Sequence, residues 1–334
     1  MCRRLCWTYA SGVLAVLAAR TDAMNPLSGL VVGDRPEPDV PEGWRLVHVK
    51  AAALNHHDLW SLRGVGLRPD ELPRILGMDA AGVDEDGNPV VVHAVIADPD
   101  AGRGDEVNDP RRSLLSERYD GTFAEHLVVP ARNLLPKPDA LDDVEAACLP
   151  TAWLTAYRML LRSGARPGDT ILVQGAGGGV STAAIVLAGA MGLRVWVATR
   201  DAERGRRAMD LGADAVFDRG ERLPERVDAV LDSVGAATWG HSLRAVRPGG
   251  TVVVCGATSG DPSPVELNRI FYQQVRIVGV TMGSRDELAG LLAFCAARNI
   301  RPVIDRVLPL HQAIEGFAAL EAGDVFGKIV FTVP

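Results

Sequence analysis

Four glycines follow a short apolar run near the middle of the chain, in the segment TILVQGAGGGVS at residues 170–181. Residues 171–174 predict a buried strand, and the apolar spacing over 180–191 predicts a helix. A strand that enters a helix through glycines makes a phosphate site, because the backbone can approach the ligand and the helix N-terminus supplies free N–H groups. The alternative is an ordinary tight loop. We predict a dinucleotide site whose phosphate-binding residues are Ala176, Gly177, Gly178, Gly179 and Val180.

A second polar group follows the next predicted strand, which ends at Thr199 and continues into Arg200, Asp201 and Arg204. NAD-specific sites hold an acidic residue at this strand end, where it binds the ribose 2′-hydroxyl. A hydroxyl and guanidinium groups instead suit a 2′-phosphate, which an acid would repel. We therefore predict NADPH as the cofactor, bound by Thr199, Arg200 and Arg204. A shift of two residues in the alignment would make Asp201 the acid of an NAD site.

The composition limits what this protein can be. The chain has 334 residues, of which 47% are apolar and 23% charged, which is typical of a globular protein with two domains. Its net charge of −7 argues against a nucleic-acid partner. The five cysteines are scattered and odd in number, so they indicate neither a disulfide framework nor a zinc cluster.

The first 23 residues allow two interpretations. Arg3 and Arg4 precede an apolar stretch that ends in small residues, which is typical of a secretory signal. We prefer the interpretation in which 13–18 is the first strand and 1–12 is a tail or an upstream extension. The predicted cofactor site downstream is typical of cytosolic enzymes, so we predict a cytoplasmic protein. No stretch approaches ~20 continuous apolar residues, so we predict no membrane span.

The first part of the chain predicts a β-rich domain of short strands. Strands are predicted at 44–52, 75–83, 90–96 and 122–129, and a helix at 56–62. The segment rich in Pro, Gly and acidic residues at 25–43 predicts a surface connection, and the polar segment 97–118 predicts a mobile loop.

The second part alternates strands and helices. Its strands are predicted at 170–174, 194–199, 214–217, 227–232, 251–256 and 275–281. This alternation predicts an α/β fold with a doubly wound parallel sheet. A helix at 286–298, a strand at 303–308, a helix at 312–322 and a strand at 328–333 follow, and we expect the last strand to return to the β-rich domain. The predicted domains are therefore 13–138 with 291–334, and 139–290.

The chain resembles the medium-chain dehydrogenase/reductase superfamily from its first strand to its last. The resemblance rests on the order and spacing of short segments: AAALNHHD at 51–58, LGMDAAG at 76–82, DGTFAEH at 120–126, LTAY at 154–157, the glycine turn, and GKIV at 327–330. It implies a GroES-like β-rich catalytic domain and a Rossmann domain, with the substrate between them.

Within that superfamily the chain is most similar to the zinc-free quinone oxidoreductase-like (zeta-crystallin-like) branch. The zinc-dependent branch carries Cys, His and Cys where this chain has Asn55, Met78 and Thr151. An amide and a thioether cannot replace thiolate and imidazole on Zn²⁺. The four-cysteine structural lobe of that branch would fall at 97–118, which contains no cysteine. We therefore predict no metal ligands.

The resemblance also implies which side chains line the cleft. The candidate catalytic residues are Asn55, His57, Asp58 and Tyr119, and Thr151, Thr155, Gly256, Ala257 and Lys328 are expected near the cofactor. His57 is the best general acid by its ordinary pKa, although a histidine without a role is the more common case. We expect Asn55 to cap the helix and donate to the substrate. Asp58 is alternatively a structural partner for nearby backbone or Arg63.

These residues favour an NADPH-dependent oxidoreductase without zinc that transfers hydride to a quinone or an activated α,β-unsaturated carbonyl compound. Quinone reduction needs no dedicated acid, because the hydroquinone dianion can take protons from solvent. Two alternatives stay open: an alcohol dehydrogenase-like enzyme with unusual zinc ligands, and a non-catalytic NADPH-binding protein.

The sixth predicted strand of the nucleotide sheet, 275–281, suggests a homodimer. It is β-branched, mostly apolar and free of proline, and in the expected strand order it lies at an edge. An exposed apolar edge invites pairing with another chain. The alternative is a monomer whose edge is shielded by the segment 258–270.

Overall fold

The computed structural model describes residues 12–261 and 266–334. In chain order the strands are β1 (Val13–Ala18), β2 (Leu30–Arg35), β3 (Trp44–Ala53), β4 (Arg74–Ile75), β5 (Asp79–Asp84), β6 (Pro89–Val92), β7 (Val95–Ile96), β8 (Ser113–Leu114), β9 (His126–Pro130), β10 (Leu134–Pro136), β11 (Thr170–Gln174), β12 (Arg194–Thr199), β13 (Ala215–Asp218), β14 (Val227–Asp232), β15 (Val246–Val254), β16 (Arg276–Gly279), β17 (Ile304–Pro309) and β18 (Lys328–Thr332). The helices are α1 (His56–Leu62), α2 (Asp143–Ala147), α3 (Leu154–Ser163), α4 (Gly179–Ala190), α5 (Ala202–Asp210), α6 (Trp239–Ala245), α7 (Leu267–Tyr272), α8 (Arg285–Arg298) and α9 (Ala313–Ala322). The predicted tail, 1–12, lies outside the described residues apart from Gly12.

The apolar stretch near the N-terminus is an integral strand, as predicted. β1 pairs antiparallel with β2 along its whole length, and its last two residues also pair with β4. The prediction that 25–43 is only a connection is wrong, because this segment contains a 3-10 turn at Pro26–Gly29 and all of β2. β2 alternates buried and exposed positions only weakly, so its strand pattern is faint in the sequence.

The β-rich half is built around a seven-stranded sheet. Six strands follow the order β10-β6-β5-β3-β18-β17, and β9 also pairs with β3. The last strand therefore returns to this sheet, as predicted, and lies beside β3 and β17. This return brings residues from the end of the sequence next to the end of β3.

The strand predicted at 75–83 is broken at Gly77. This residue has a φ of +99°, and a Cβ on it would lie 2.4 Å from Thr122 Oγ1. The left-handed backbone and the close approach both require glycine. The chain therefore turns between β4 and β5, and Asp79 begins a new strand in the main sheet.

Two further predicted strands are shorter than expected. The strand predicted at 90–96 divides into β6 in the main sheet and β7, which pairs with β8. The strand predicted at 122–129 becomes β9, while Ala124 forms an isolated bridge with Ala15. Short strands that change partner are difficult to delimit from periodicity alone.

The second half is the predicted doubly wound sheet. Its six parallel strands follow the order β13-β12-β11-β14-β15-β16. The order reverses between β11 and β14, and ligands bind such sheets at the carboxyl ends of the strands beside that point. The glycine turn leaves β11 at this position.

Helix α8 belongs to the packing of the dinucleotide half. Its buried residues share a hydrophobic cluster with α3 and the parallel sheet. The boundary predicted between residues 290 and 291 therefore falls inside a continuous helix, and the chain leaves this half after α8, at β17.

A buried ionic group joins the two halves. Arg158 on α3 donates Nη2 to Asp105 Oδ2 at 2.5 Å and Nη1 to Glu287 Oε2 at 2.6 Å. The Arg158 side chain is 7% exposed, whereas those of Asp105 and Glu287 are 20% and 16% exposed. We call these three residues the Arg158 clamp. The segment 97–118, predicted as a loop, also contains β8 and a 3-10 turn at Glu106–Asn108, and its Asp105 belongs to this clamp.

The sixth strand of the parallel sheet, β16, is the last in the strand order, as predicted. Ile277 on β16 is 40% exposed, and the preceding helix α7 exposes Phe271 and Tyr272 at 68% and 84%. A membrane-crossing helix would have to be long and apolar, and the part of the chain that the structure describes contains none.

Candidate functional site

The connection between β3 and α1 places Asn55 and Asp58 at the centre of the β-rich half. The buried carboxylate of Asp58 accepts the N–H of Asn55 at 2.9 Å and the N–H of Gly77 at 3.0 Å. Burial raises the pKa of Asp58 to about 6. Asp58 therefore ties the start of α1 to the β4–β5 connection, which matches the structural alternative given above.

Lys328, the first residue of β18, extends its ammonium toward the end of β3. Nζ donates to Leu54 O at 2.8 Å, to Asn55 Oδ1 at 2.6 Å and to Asp79 Oδ2 at 3.1 Å. Lys328 is 2% exposed and Asp79 is fully buried. An ammonium has three hydrogens, so these bonds use all of them. We call Lys328, Asp79 and Asn55 the Lys328 cluster.

The side chain of Asn55 is also fully engaged as a donor. Its Nδ2 donates to Ala53 O at 3.1 Å and to Asp79 Oδ2 at 2.9 Å, while Oδ1 accepts from Lys328. This pattern fixes the orientation of the amide. The expected donation from Asn55 to a substrate therefore has no hydrogen available in this arrangement. Asp79 was not among the predicted site residues, although an acid within the small and apolar segment LGMDAAG was a signal.

The two histidines of α1 face different surroundings. His57 Nε2 lies 3.1 Å from Glu117 Oε1, and Ser61 Oγ lies 3.5 Å from His57 Nδ1. Solvent reaches the ring of His56, but the surrounding protein atoms remove much of its hydration. That burial, with the positive charges of Lys328 and Arg63, lowers the pKa of His56. Neither His56 nor Glu117 was among the predicted site residues.

A cavity of about 300 Å³ lies beside Glu117, between the segment 107–117 and the residues Thr281 and Met282 of the dinucleotide half. Arg112 and Ser113 give it a polar lining. Because Glu117 also contacts His57, the cavity and His57 share one wall. No pattern in the sequence connects these two distant segments, so the cavity could not be predicted.

Tyr119 is placed differently from the other candidate residues. Its ring packs against Trp44, with ring centroids 5.3 Å apart. Trp44 begins β3, whereas Asn55 follows the end of that strand. The structure therefore does not bring Tyr119 together with the Lys328 cluster.

Thr151 lies in a π-helical turn, Leu149–Trp153, that precedes α3. The turn packs against β5, α4 and α8, so it lies where the two halves meet. Thr151 O accepts the hydroxyl of Thr155 at 2.7 Å. The Thr151 hydroxyl itself is buried and has no partner among the described residues. Single π-helical turns are frequent at functional sites, and this one holds a free hydroxyl at the domain junction.

The glycine turn connects β11 to α4, which is the strand–turn–helix arrangement that the sequence predicted. Gly177 has a φ of +103°, and Gly178 precedes the first residue of α4. The carbonyl of Gly177 accepts the N–H of Gly327 at 2.7 Å, immediately before Lys328. A Cβ on Gly179 would lie 3.0 Å from Lys328 Cδ, so the stem of the lysine passes directly over this turn. Ala176 and Val180 flank these glycines along the chain.

The residues after β12 divide into three roles. The carboxylate of Asp201 caps α5 by accepting the N–H groups of Glu203 and Arg204, each at 3.0 Å. Arg204 donates its guanidinium to the carbonyl of Gly323 and lies against Gly177. Thr199 is buried at the end of β12, and Arg200 next to it is exposed. Arg200 is therefore the basic side chain of this group that stays accessible to a ligand.

Gly256 and Ala257 follow β15 at the same edge of the sheet. The N–H of Cys255 donates to Asp232 O at 3.2 Å, and Ala257 lies against Gly235 in the loop after β14. The carboxyl ends of β11, β12 and β15 thus place the glycine turn, Thr199, Arg200, Gly256 and Ala257 at one edge of the sheet, whereas Thr151, Thr155 and Lys328 come from other elements.

The residues at the positions of the zinc ligands do not suit zinc. Asn55 offers one amide oxygen that an ammonium already occupies, Met78 is buried in the apolar core of the β-rich half, and Thr151 offers a neutral hydroxyl. Protein zinc sites use thiolate, imidazole and carboxylate ligands. Within residues 12–261 and 266–334, no three His, Cys, Asp or Glu side chains gather as a metal-binding group.

Two sequence profiles match this chain. Residues 41–139 match the profile described as the alcohol dehydrogenase GroES-like domain, and residues 179–297 match the zinc-binding dehydrogenase profile. An acryloyl-coenzyme A reductase of Metallosphaera sedula is 30% identical over 324 residues, covering 91% of this chain and 96% of the relative.

Solved structures show the same fold. An NAD-dependent alcohol dehydrogenase has a TM-score of 0.89 and 36% identity, covering 96% of this chain and 100% of the other. A 2-octenoyl-CoA carboxylase reductase, solved with NADP and 2-octenoyl-CoA, has a TM-score of 0.89 and 25% identity, covering 98% and 88%.

Proposed function

The chain belongs to the medium-chain dehydrogenase/reductase superfamily, and from this premise we propose that it is an NADPH-dependent, zinc-free reductase of α,β-unsaturated carbonyl compounds or quinones. The relatives support an NAD(P)-dependent oxidoreductase. The observation that carries the finer proposal is the Lys328 cluster, an ion pair that engages Asn55, one of the three zinc-ligand positions, and Asp79, the residue after another. Conjugated acceptors spread the charge that hydride addition creates, so they depend less on a Lewis acid than a simple carbonyl does.

NADPH supplies the hydride when it is bound. The glycine turn and the N-terminus of α4 bind its pyrophosphate, and Arg200 binds the 2′-phosphate. The buried Thr151 hydroxyl is free to donate to a ligand at the domain junction. His57, held by Glu117 beside the cavity, is the residue placed to give a proton to the product.

The cofactor preference is tested with Arg200→Ala. Losing one charge-assisted contact costs about 1.5–3 kcal/mol, so the affinity for NADPH should fall about 10- to 150-fold while that for NADH is unchanged. Arg206→Ala is the matched control, because Arg206 on α5 is exposed and paired with Glu203. An equal loss for both cofactors would contradict the role of Arg200.

The reaction is tested with a panel of an acryloyl thioester, a simple enone, a quinone and a primary alcohol. We expect turnover with NADPH and the conjugated acceptors, no stoichiometric zinc in the purified protein, and no effect of chelator. Alcohol oxidation that depends on one zinc per chain would favour the alcohol dehydrogenase alternative. Tight NADPH binding without any turnover would favour the non-catalytic alternative.

We also propose that the protein is a homodimer through β16. The proposal is supported by the position of β16 at the edge of the sheet and by the apolar side chains exposed there and on α7. Two β16 strands paired about a two-fold axis would form one continuous sheet. Light scattering after gel filtration should give a dimer mass. The N–H of Val280 donates to Val254 O, so the alternation along β16 turns the N–H of Ile277 away from β15, and Ile277→Pro should lower the mass by removing a donor at the free edge. A monomer mass for the unchanged protein at micromolar concentration would reject the dimer.

A further inference from the structure

Lysine is rare in this chain, and one of its lysines is buried. Of the 35 lysine and arginine residues in the chain, only Lys50, Lys137 and Lys328 are lysines. Lys50 and Lys137 are partly exposed, whereas Lys328 is 2% exposed. A guanidinium is planar and carries five N–H donors, whereas an ammonium is compact and carries three. The compact group matches the three oxygens that surround it.

The surroundings of the ammonium are those of a small bound cation. A peptide oxygen, an amide oxygen and a carboxylate oxygen lie 2.6–3.1 Å from Nζ. The second oxygen of Asp79 is buried without a hydrogen-bond partner among the described residues. The charge of Asp79 therefore depends on this ammonium for its compensation.

We propose that Lys328 is a built-in cation, a positioning residue whose ammonium takes the place of a divalent ion between Asp79 and Asn55. Asn55 stands at one of the three zinc-ligand positions, and Asp79 directly follows another, Met78. The ammonium holds the carboxylate and the amide in one arrangement, and it closes this space to a metal ion. The proposal rests on the zinc-free function above and adds the group that replaces the metal.

Gly327 and Lys328, at the start of β18, also contact the glycine turn that is proposed to bind the cofactor. Gly327 donates its N–H to Gly177 O, and the stem of Lys328 crosses Gly179 so closely that a Cβ there would lie 3.0 Å from Lys328 Cδ. The start of β18 therefore sets both the shape of the phosphate turn and the position of the ammonium. A metal ion that exchanges with solvent would not link the ammonium site to the glycine turn. Lys328 does so, because its backbone is part of a strand that pairs with β3 and β17.

The test removes the ammonium by mutation and then restores it with a small soluble amine. Lys328→Ala removes three carbons and the nitrogen, which are the atoms of propylammonium. Propylammonium should give a saturable rise of about 2–4 °C in the midpoint of thermal unfolding of this variant. 1-Propanol, which has the same length and no charge, should give no such rise. Turnover with the best acceptor is measured in parallel and should recover with the same concentration dependence.

Two controls isolate the cation. Lys50→Ala loses a partly exposed ammonium and should not respond to propylammonium. Lys328→Ala combined with Asp79→Asn has no buried charge to compensate, so it should not respond either. If Lys328→Ala is unfolded after purification, the same comparison is made on the yield of refolding. Equal effects of propanol and propylammonium, or no effect of either, would overturn the proposal.

A second measurement addresses the metal. The unchanged protein titrated with Co²⁺ should show no ligand-field bands beyond those of aqueous Co²⁺, and no bound metal after gel filtration. One bound Co²⁺ per chain that disappears with Asp79→Asn would overturn the proposal, because the ammonium and the metal cannot share this place. Both readouts are independent of turnover, so a failure of the proposed reaction would leave them interpretable.

Discussion

The Lys328 cluster and the Arg158 clamp both join distant parts of the chain through buried charges, but they differ in their access to water. In the cluster, a single ammonium faces a single carboxylate, and both are almost completely buried. In the clamp, Arg158 is shared by two carboxylates that keep 16–20% of their side chains exposed. A dry one-to-one pair leaves an uncompensated charge when either partner is removed, whereas partly hydrated partners can recover solvation.

The largest expected effect is therefore in the cluster. Lys328→Met keeps an apolar stem and removes the ammonium, so it should lower the free energy of unfolding by about 3–5 kcal/mol. Adding Asp79→Asn removes the stranded charge and should restore part of that loss. Urea unfolding of the unchanged protein, both single variants and the double variant measures this. Losses that simply add would contradict the coupling.

Asp58 is another buried carboxyl group that can be compared with Asp79 of the cluster. It is bonded to backbone N–H groups rather than to a cation. Burial raises its pKa from 3.8 to about 6. The native state therefore holds the proton more tightly than the unfolded state, and the stability from this group is complete below about pH 4 and lost as the pH rises through about 6. The loss amounts to about 3 kcal/mol at 1.36 kcal/mol per pKa unit.

The measurement for Asp58 is the difference in free energy of unfolding between the unchanged protein and Asp58→Asn across this pH range. The difference should move in favour of the variant as the pH rises. A difference that does not vary with pH would show that Asp58 titrates alike in both states.

Removing the central cation of the Arg158 clamp should lower the free energy of unfolding less than removing that of the Lys328 cluster. Arg158→Met removes hydrogen bonds to charged groups and should cost about 1.5–3 kcal/mol. Because the two carboxylates are partly hydrated, 1 M salt should reduce this cost, while the cost of Lys328→Met should hardly change. Thermal unfolding at low and high salt tests the contrast. The comparison fails if both variants show the same salt dependence.

The smallest effect on stability is expected for an ion pair that is exposed to solvent. Arg206 on α5 is 75% exposed and pairs with Glu203 one helical turn away. Exposed pairs of this kind contribute little, so Arg206→Ala should change the free energy of unfolding by less than about 0.5 kcal/mol. A larger loss would mean that burial is not what separates these ionic groups.

The sequence predicted the dinucleotide half well because its strands are continuous apolar runs between glycines and helices. The strands at 170–174, 194–199 and 227–232 have the predicted bounds. The β-rich half was harder, since Gly77 divides one expected strand and β2 has a weak pattern. Local periodicity does not reveal where a strand changes partner.

For the candidate site, the sequence predicted several of the residues but not the hydrogen bonds between them. Asn55, Asp58 and Lys328 were all chosen, but the ammonium reaches Asp79 rather than standing free for the cofactor. This contact joins residues far apart in sequence, and no local pattern encodes it. Glu117 beside His57 and the cavity between the halves were missed for the same reason.

The return of β18 also fixes the order in which the site is completed during synthesis. Asp79 and Lys328 are 249 residues apart in sequence. A ribosome adds about 5–20 residues per second, so the carboxylate emerges roughly 12 to 50 seconds before the ammonium that neutralises it. Over that interval Asp79 cannot be sealed from water without a large electrostatic penalty. The main sheet of the β-rich half, whose strand β5 is translated early, is therefore completed only after the last strand of the chain has been made.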